Sequence, residues 1–215
     1  MKQAIYHLKK SDPVLAAIID RVGDYGIEFR DPDFATLVKS IVYQQLSGRV
    51  ASVIFARLVK AAGNPLTPAG VLKLRPARMR SLGLSTQKTK YIRDLARHTR
   101  DGQVVFEELP QLSDQEVIDR LTRIKGIGAW TVHMFLIFAL RRLDILPTGD
   151  LGIRNAIRKA YGLKELPLAA DMEELAAHWR PYCSVASWYL WRSLEPNANL
   201  KERVARSGGV PNRPK

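Results

Sequence analysis

The sequence has a single cysteine, Cys183, among its 215 residues. One thiol cannot close an internal disulfide, supply an all-cysteine zinc site or hold a four-cysteine iron–sulfur cluster. That scarcity fits a reducing compartment, so a cytoplasmic location is expected, nucleoid-associated if the source is bacterial. Long apolar runs are missing too. The most apolar stretch, Ala129 to Leu140, falls short of the roughly 20 residues needed to cross a bilayer. The opening MKQAIYHLKKSDP lacks the continuous apolar core of a secretory signal, and no membrane partner is expected. No convincing alternation of apolar and polar residues marks a half-buried strand, and no internal repeat is present.

Acidic charge is the scarcer sign, with 21 Asp and Glu against 34 Lys and Arg and a formal net charge of +13. Such an excess points to a polyanion, nucleic acid first, because neutralising phosphates releases condensed counterions. Ribosomal proteins, membrane-surface proteins and many ordinary enzymes are basic as well, so the motifs must decide. With 46% apolar residues the chain can bury one sizeable core, or two small lobes sharing an interface.

Helical period is what the chain has in quantity. Val14, Leu15, Ile18, Ile19 and Val22 form one apolar stripe, and Phe34, Leu37, Val38, Ile41 and Val42 a second. A third runs through Val50, Ala51, Ile54, Phe55, Leu58 and Val59, just after Ser47, whose hydroxyl is expected to cap it. Further helix starts are marked by Thr67-Pro68, by Ser85 and by the capping box from Ser113 to Glu116. The class is all-α. The segment 197–215 is polar, basic and rich in Gly and Pro, and reads as a flexible tail.

The most informative stretch is 121–132, LTRIKGIGAWTV, a helix end, a tight turn and a helix start. Gly126 and Gly128 allow backbone conformations and close approaches that a Cβ blocks, so main-chain N–H groups at a helix N-terminus can face a phosphate. An ordinary αα-hairpin, with glycines that only end one helix and admit the next, is the plain alternative. Downstream, Pro-Thr-Gly-Asp150 precedes a helix carrying Ile153, Ala156, Ile157 and Ala160. Taken alone, Asp150 is an N-cap.

Taken together, I-K-G-I-G-x-W-T, the Asp150 loop, the stretch from Leu84 to Ala96 and the W-R-P-Y…W run resemble the helix-hairpin-helix base-excision DNA glycosylases, in particular the 3-methyladenine glycosylase II type. The resemblance runs from about Asp12 to Pro196. It implies one glycosylase domain over 1–196, built as two helical lobes with an active-site cleft between them, the hairpin at 121–132 and the catalytic loop at 144–152. It implies a glycosylase that flips alkylated purines such as 3-methyladenine and 7-methylguanine out of double-stranded DNA and hydrolyses their N-glycosidic bonds. A noncatalytic DNA-binding hairpin protein, or a glycosylase for other damaged or mismatched bases, are the alternatives.

The resemblance also assigns roles. Asp150 becomes the catalytic carboxylate, supporting the oxocarbenium-like sugar and orienting or deprotonating water. Ordinary glycosidases pair two carboxylates because their leaving oxygen needs a proton. An alkylated purine already carries positive charge, so one acid suffices. Relatives that also cut the strand place a lysine where this sequence has Trp130, so no lyase activity is expected. Trp130 and Trp191 align with base-pocket aromatics, and Met134 lies one turn beyond Trp130. Lys125, Gly126, Ile127, Gly128 and Thr131 are the expected DNA contacts. Gln45, or else Leu46, is the expected wedge into the gap left by the flipped nucleotide. The carbonyls of Thr122, Ile124 and Ile127 would hold a structural Na+ or K+, and no other cofactor is expected. His133 reads as an interior histidine. Cys183 stands where an arginine is usual. A monomer is expected.

Overall fold

The computed structural model describes residues 1–195, so the tail 197–215 lies outside the described residues. The helical stripes become twelve α-helices among those residues, with no strand. They are α1 (Lys2–Ser11), α2 (Pro13–Val22), α3 (Phe34–Tyr43), α4 (Gly48–Ala62), α5 (Pro68–Lys73) and α6 (Pro76–Ser81). α7 (Thr86–Arg100), α8 (Asp114–Leu121), α9 (Ala129–Phe138), α10 (Leu151–Ala160), α11 (Ala169–Ala176) and α12 (Cys183–Ser193) complete the set. Short 3-10 turns occupy Leu109–Gln111 and Ala177–Trp179.

The helix starts follow from side-chain caps. Thr67 accepts from the Gly70 N–H and Ser85 from the Lys88 N–H. Ser113 and Glu116 close a reciprocal capping box at α8, each accepting one orphan backbone donor of the first turn. Ser47 departs from expectation. It holds the N-cap position of α4, but its hydroxyl makes no capping hydrogen bond. Residues 45–50 are all exposed, and water can satisfy those N–H groups instead. Val50, placed in the apolar stripe by its spacing, is 48% exposed; Ala51, Ile54 and Leu58 make the buried face.

The chain divides into two units. One comprises Met1–Glu28 together with the chain from Arg142 onward, and the other is Phe29–Arg141. In the first, α2 packs on α12, which also contacts α10. Leu15, Ile18, Ile153, Ile157, Trp179 and Tyr189 belong to its buried core. Asp12 sits in this unit with 2% of its surface exposed. It accepts from the Val14 and Leu15 N–H groups at 2.8 and 3.0 Å, capping α2, and from Trp179 Nε1 at 2.8 Å. Tyr161 donates its hydroxyl to the same carboxylate at 2.5 Å, and His178 Nε2 lies 3.3 Å away. Burial pushes this carboxyl up, but hydrogen bonds from Tyr161, Leu15, Trp179 and His178 outweigh it and hold the group below the usual range.

In the second unit α7 is the hub, contacting α3, α5 and α6, while α8 packs on α9. Leu37, Ile41, Ile92 and Leu95 are fully buried there. Each such side chain contributes about 1.5–3 kcal/mol relative to exposure. This fixed frame carries the turn between α3 and α4 and the hairpin between α8 and α9.

Candidate functional site

The hairpin is built on two buried anchors. Ile124 and Ile127 point into the core, 1% and 3% exposed, while Lys125 and Gly128 stay at the surface. The turn tightens through Ile124 N–H to the Leu121 carbonyl at 3.2 Å and Ile127 N–H to the Ile124 carbonyl at 3.1 Å. The two glycines serve different ends. Gly126 has φ +85°, and a Cβ there would collide with the Tyr91 ring. Gly128 has an ordinary φ of −94° and caps α9 with open space around it. Its lack of a side chain leaves the first turn of α9 open to approach.

Fewer hairpin N–H groups are open than the expected phosphate nest requires. The Lys125 N–H donates to Asp94 Oδ2 at 3.1 Å, and the Ile127 N–H is held within the turn. The N–H groups of Gly126 and Gly128 make no hydrogen bond among the described residues. Asp94 is nearly buried on α7. Burial pushes its carboxyl up, but the Lys125 N–H, Arg97 and His98 hold it below the usual range. Thr131, an expected DNA contact, is 4% exposed, so its side chain lies beneath the surface.

The expected wedge segment follows α3. Gln45 is exposed and has φ +56°, a conformation that costs a non-glycine residue about 1–3 kcal/mol and tends to persist where the surroundings enforce it. Leu46 is 38% exposed. Gln44, between Gln45 and the helix end, donates its side-chain amide to the Gly126 carbonyl at 2.9 Å. Lys88 Nζ donates to the carbonyls of Val42 and Gln44 at 2.8 and 2.6 Å. Burial lowers the pKa of that ammonium. Sequence reasoning missed Gln44, Lys88, Tyr91 and Asp94. The last three share one broad face of a helix whose register the Ser85 cap sets, and that spacing was the available signal.

Trp130, Met134 and Thr131 line a cavity of about 570 Å³ together with Tyr43, Gln44 and Gln45. Trp130 is 46% exposed, unusual for so large an apolar ring. Arg30 and Lys39 also reach this cavity, Arg30 lying 5.8 Å from the Phe138 ring centroid and Lys39 5.6 Å from that of Tyr43. The cavity therefore combines aromatic surface with a few polar ends, the composition of a small-molecule pocket.

Asp150 lies in the unit that joins both ends of the described chain. It caps α10, and its Oδ1 accepts from the Ile153 N–H at 2.8 Å and from Trp191 Nε1 at 2.9 Å. The residue is 9% exposed. Gly152 makes the pairing possible, since a Cβ there would stand 2.9 Å from Asp150 Oδ1 and 3.2 Å from Trp191 Cδ1. Trp191 was expected among the base-pocket rings; its indole N–H is directed to Asp150.

The loop leading to Asp150 is pinned to the start of α12. The Ile145 N–H donates to Ser184 Oγ and the Ser184 N–H to the Leu143 carbonyl, both at 2.9 Å. Asp144 accepts from the Cys183 N–H at 3.2 Å and from Arg180 at 3.0 Å, and Arg180 also reaches Glu173. Cys183 itself is buried, and burial with the nearby Asp144 pushes its thiol far up. Its backbone N–H and the Arg180 guanidinium both meet Asp144, and its thiol points to the Ala176 carbonyl.

Residues 38–181 match the family model described as HhH-GPD superfamily base excision DNA repair protein. Over 200 residues the chain is 34% identical to DNA-3-methyladenine glycosylase 1 of Schizosaccharomyces pombe, covering 90% of this chain and 87% of that protein. A putative DNA-3-methyladenine glycosylase of Bacillus subtilis is 31% identical over 91% of this chain and 70% of its own length. Among solved structures, the S. pombe 3-methyladenine DNA glycosylase in complex with abasic DNA superposes with a TM-score of 0.78 at 34% identity, covering 88% of this chain and 95% of that one. A DNA-3-methyladenine glycosidase from Bacillus halodurans gives 0.81 at 33% identity, covering 93% and 91%.

Proposed function

The chain belongs to the HhH-GPD superfamily of base excision DNA repair proteins, and from that premise we propose that this DNA glycosylase is monofunctional and excises alkylated purines of the 3-methyladenine and 7-methylguanine kind. The observation that carries the reading is the Asp150 carboxylate, with Oδ1 fixed by the Ile153 and Trp191 N–H groups. Two donors on one oxygen set the plane of the carboxylate. A group held this way stabilises developing positive charge on the sugar without reorganising at the moment of reaction. The same carboxylate orients water for attack at the anomeric carbon and receives its proton.

The leaving base does the rest. A purine alkylated at N3 or N7 departs as a neutral molecule once the glycosidic bond breaks, so no second acid is required. The half-exposed Trp130 offers an aromatic face to such a base, and cation–π attraction favours the alkylated form by about 0.5–2 kcal/mol. Met134 lines the same cavity and gives a polarizable contact. Because position 130 carries an indole rather than an amine, no Schiff base with the sugar forms there.

On the DNA side, Gly126 and Gly128 present N–H groups to a phosphate, and Lys125 adds its charge. Thr122 closes α8, so its carbonyl is at the electronegative end of that helix. With the carbonyls of Ile124 and Ile127 it suits a monovalent cation, which when bound supplies positive charge toward the phosphate. Gln45, with Leu46 behind it, fills the gap that the flipped nucleotide leaves. The protein acts as a monomer on duplex DNA.

Mass spectrometry of bases freed from methylated duplex DNA tests the reading. Free 3-methyladenine and 7-methylguanine are expected, with abasic strands that break only after alkali. Strand breaks without alkali would remove the monofunctional assignment, and no released methylated base would overturn the substrate assignment.

A further inference from the structure

The turn after α3 is held in a way that its own sequence does not require. Helix C-termini leave their last carbonyls without intrahelical donors, and water is the usual partner at an exposed end. Here the Val42 and Gln44 carbonyls both accept from Lys88 Nζ, which comes from α7. The next residue, Gln45, takes a positive φ although it is not glycine. Gln44 then bridges from this turn to the hairpin through the Gly126 carbonyl. Three residues further along α7 the Tyr91 ring fills the space beside Gly126, and after three more Asp94 holds the Lys125 N–H. One helix face thus grips both segments that the proposed function places on DNA.

We infer that Lys88 is a positioning residue that latches the turn bearing Gln45 and holds the wedge in fixed register with the phosphate-gripping hairpin. The inference rests on the wedge reading given above. The competing role is a direct phosphate contact, since Lys88 borders the same groove as Lys125 and Gly128. The geometry favours the latch: two of the three ammonium hydrogens are directed at backbone carbonyls. A cation at the end of α3 also meets the negative pole of that helix. Without the ammonium, both carbonyls turn to water and Gln45 is released to the commoner negative φ.

The two roles separate on a duplex carrying a stable abasic-site analogue with 2-aminopurine beside the gap. Insertion of a side chain changes the stacking of the fluorophore, and no base release is needed, so failure of the glycosylase assignment leaves the readout intact. The wild-type chain should change the emission on saturation. Lys88→Met should bind with an unchanged salt slope and lose most of that emission change. Thermal melting of the free protein checks that the variant is folded. If Lys88→Met does not fold, Lys88→Gln, which keeps a polar head, should show the same split. A full emission change in either folded variant, a salt slope lowered by about one as for a lost phosphate contact, or no emission change with the wild type would overturn the latch.

Discussion

Asp150 caps α10, and the proposed function asks a second, chemical duty of the same side chain. Its Oδ1 serves the fold by capping α10 and meeting the Trp191 indole. An amide oxygen can accept the same two hydrogen bonds, and Asn ranks with Asp as an N-cap. Asp150→Asn therefore removes the negative charge while keeping both hydrogen bonds to Oδ1, which makes it the right probe of chemistry. The residue was legible as a cap from Pro-Thr-Gly-Asp, while its role as the acid is what the family resemblance implies. Its tie to Trp191 was not legible, because 41 residues of intervening chain leave no local pattern, and neither was the need for Gly152 to make room. Gly126 and Gly128 look equivalent in the sequence. The fold separates them: Gly126 is required by its φ and by the Tyr91 ring, whereas Gly128 has open space around it.

Helix starts were the most legible elements. Thr67, Ser85 and Ser113 cap as their side chains dictate, because the hydroxyl, the backbone donor and the helix turn lie within four residues of one another. Ser47 shows the limit, since an exposed first turn can do without its cap. The hairpin between α8 and α9 was visible through its glycines, but the use of α7 as its brace was not. Lys88 meets carbonyls 44 and 46 residues away, and Gln44 meets one 82 away. At this scale the hairpin makes a clear prediction. Lys125 is exposed at the turn, with Arg123 as the other exposed cation there. Lys125→Ala should weaken binding to damaged and undamaged duplexes alike and reduce the salt slope by about one. Fluorescence anisotropy across a salt series measures this, and an unchanged slope would remove Lys125 from the phosphate contacts.

Across the whole molecule, the basic charge was plain from composition, the helical class from the periodicity and two lobes from the family resemblance, but which segments make up each unit was not legible. Residues 1–28 share a unit with the chain from 142 onward, and the bond between Trp179 and Asp12 spans 167 residues. That buried node sets a pH dependence. Asp12 has a lowered pKa in the folded chain, so protons bind it more readily when the chain is unfolded. Its contribution is fully present above the unfolded carboxyl value of about 3.9 and is lost as pH falls through the lower folded value. The thermal midpoint of the wild type should therefore drop more steeply below about pH 5 than that of Asp12→Asn. Parallel curves would show that other carboxylates govern acid stability.

The central claim is that a single fixed carboxylate drives base release. Its most direct test is the single-turnover release of methylated purines from duplex DNA by the wild type and by Asp150→Asn, each at saturating protein. The predicted result is a loss of about 100- to 1,000-fold in rate, with affinity for abasic duplex and the thermal midpoint both preserved. Release by Asp150→Asn at a rate close to that of the wild type would contradict the claim.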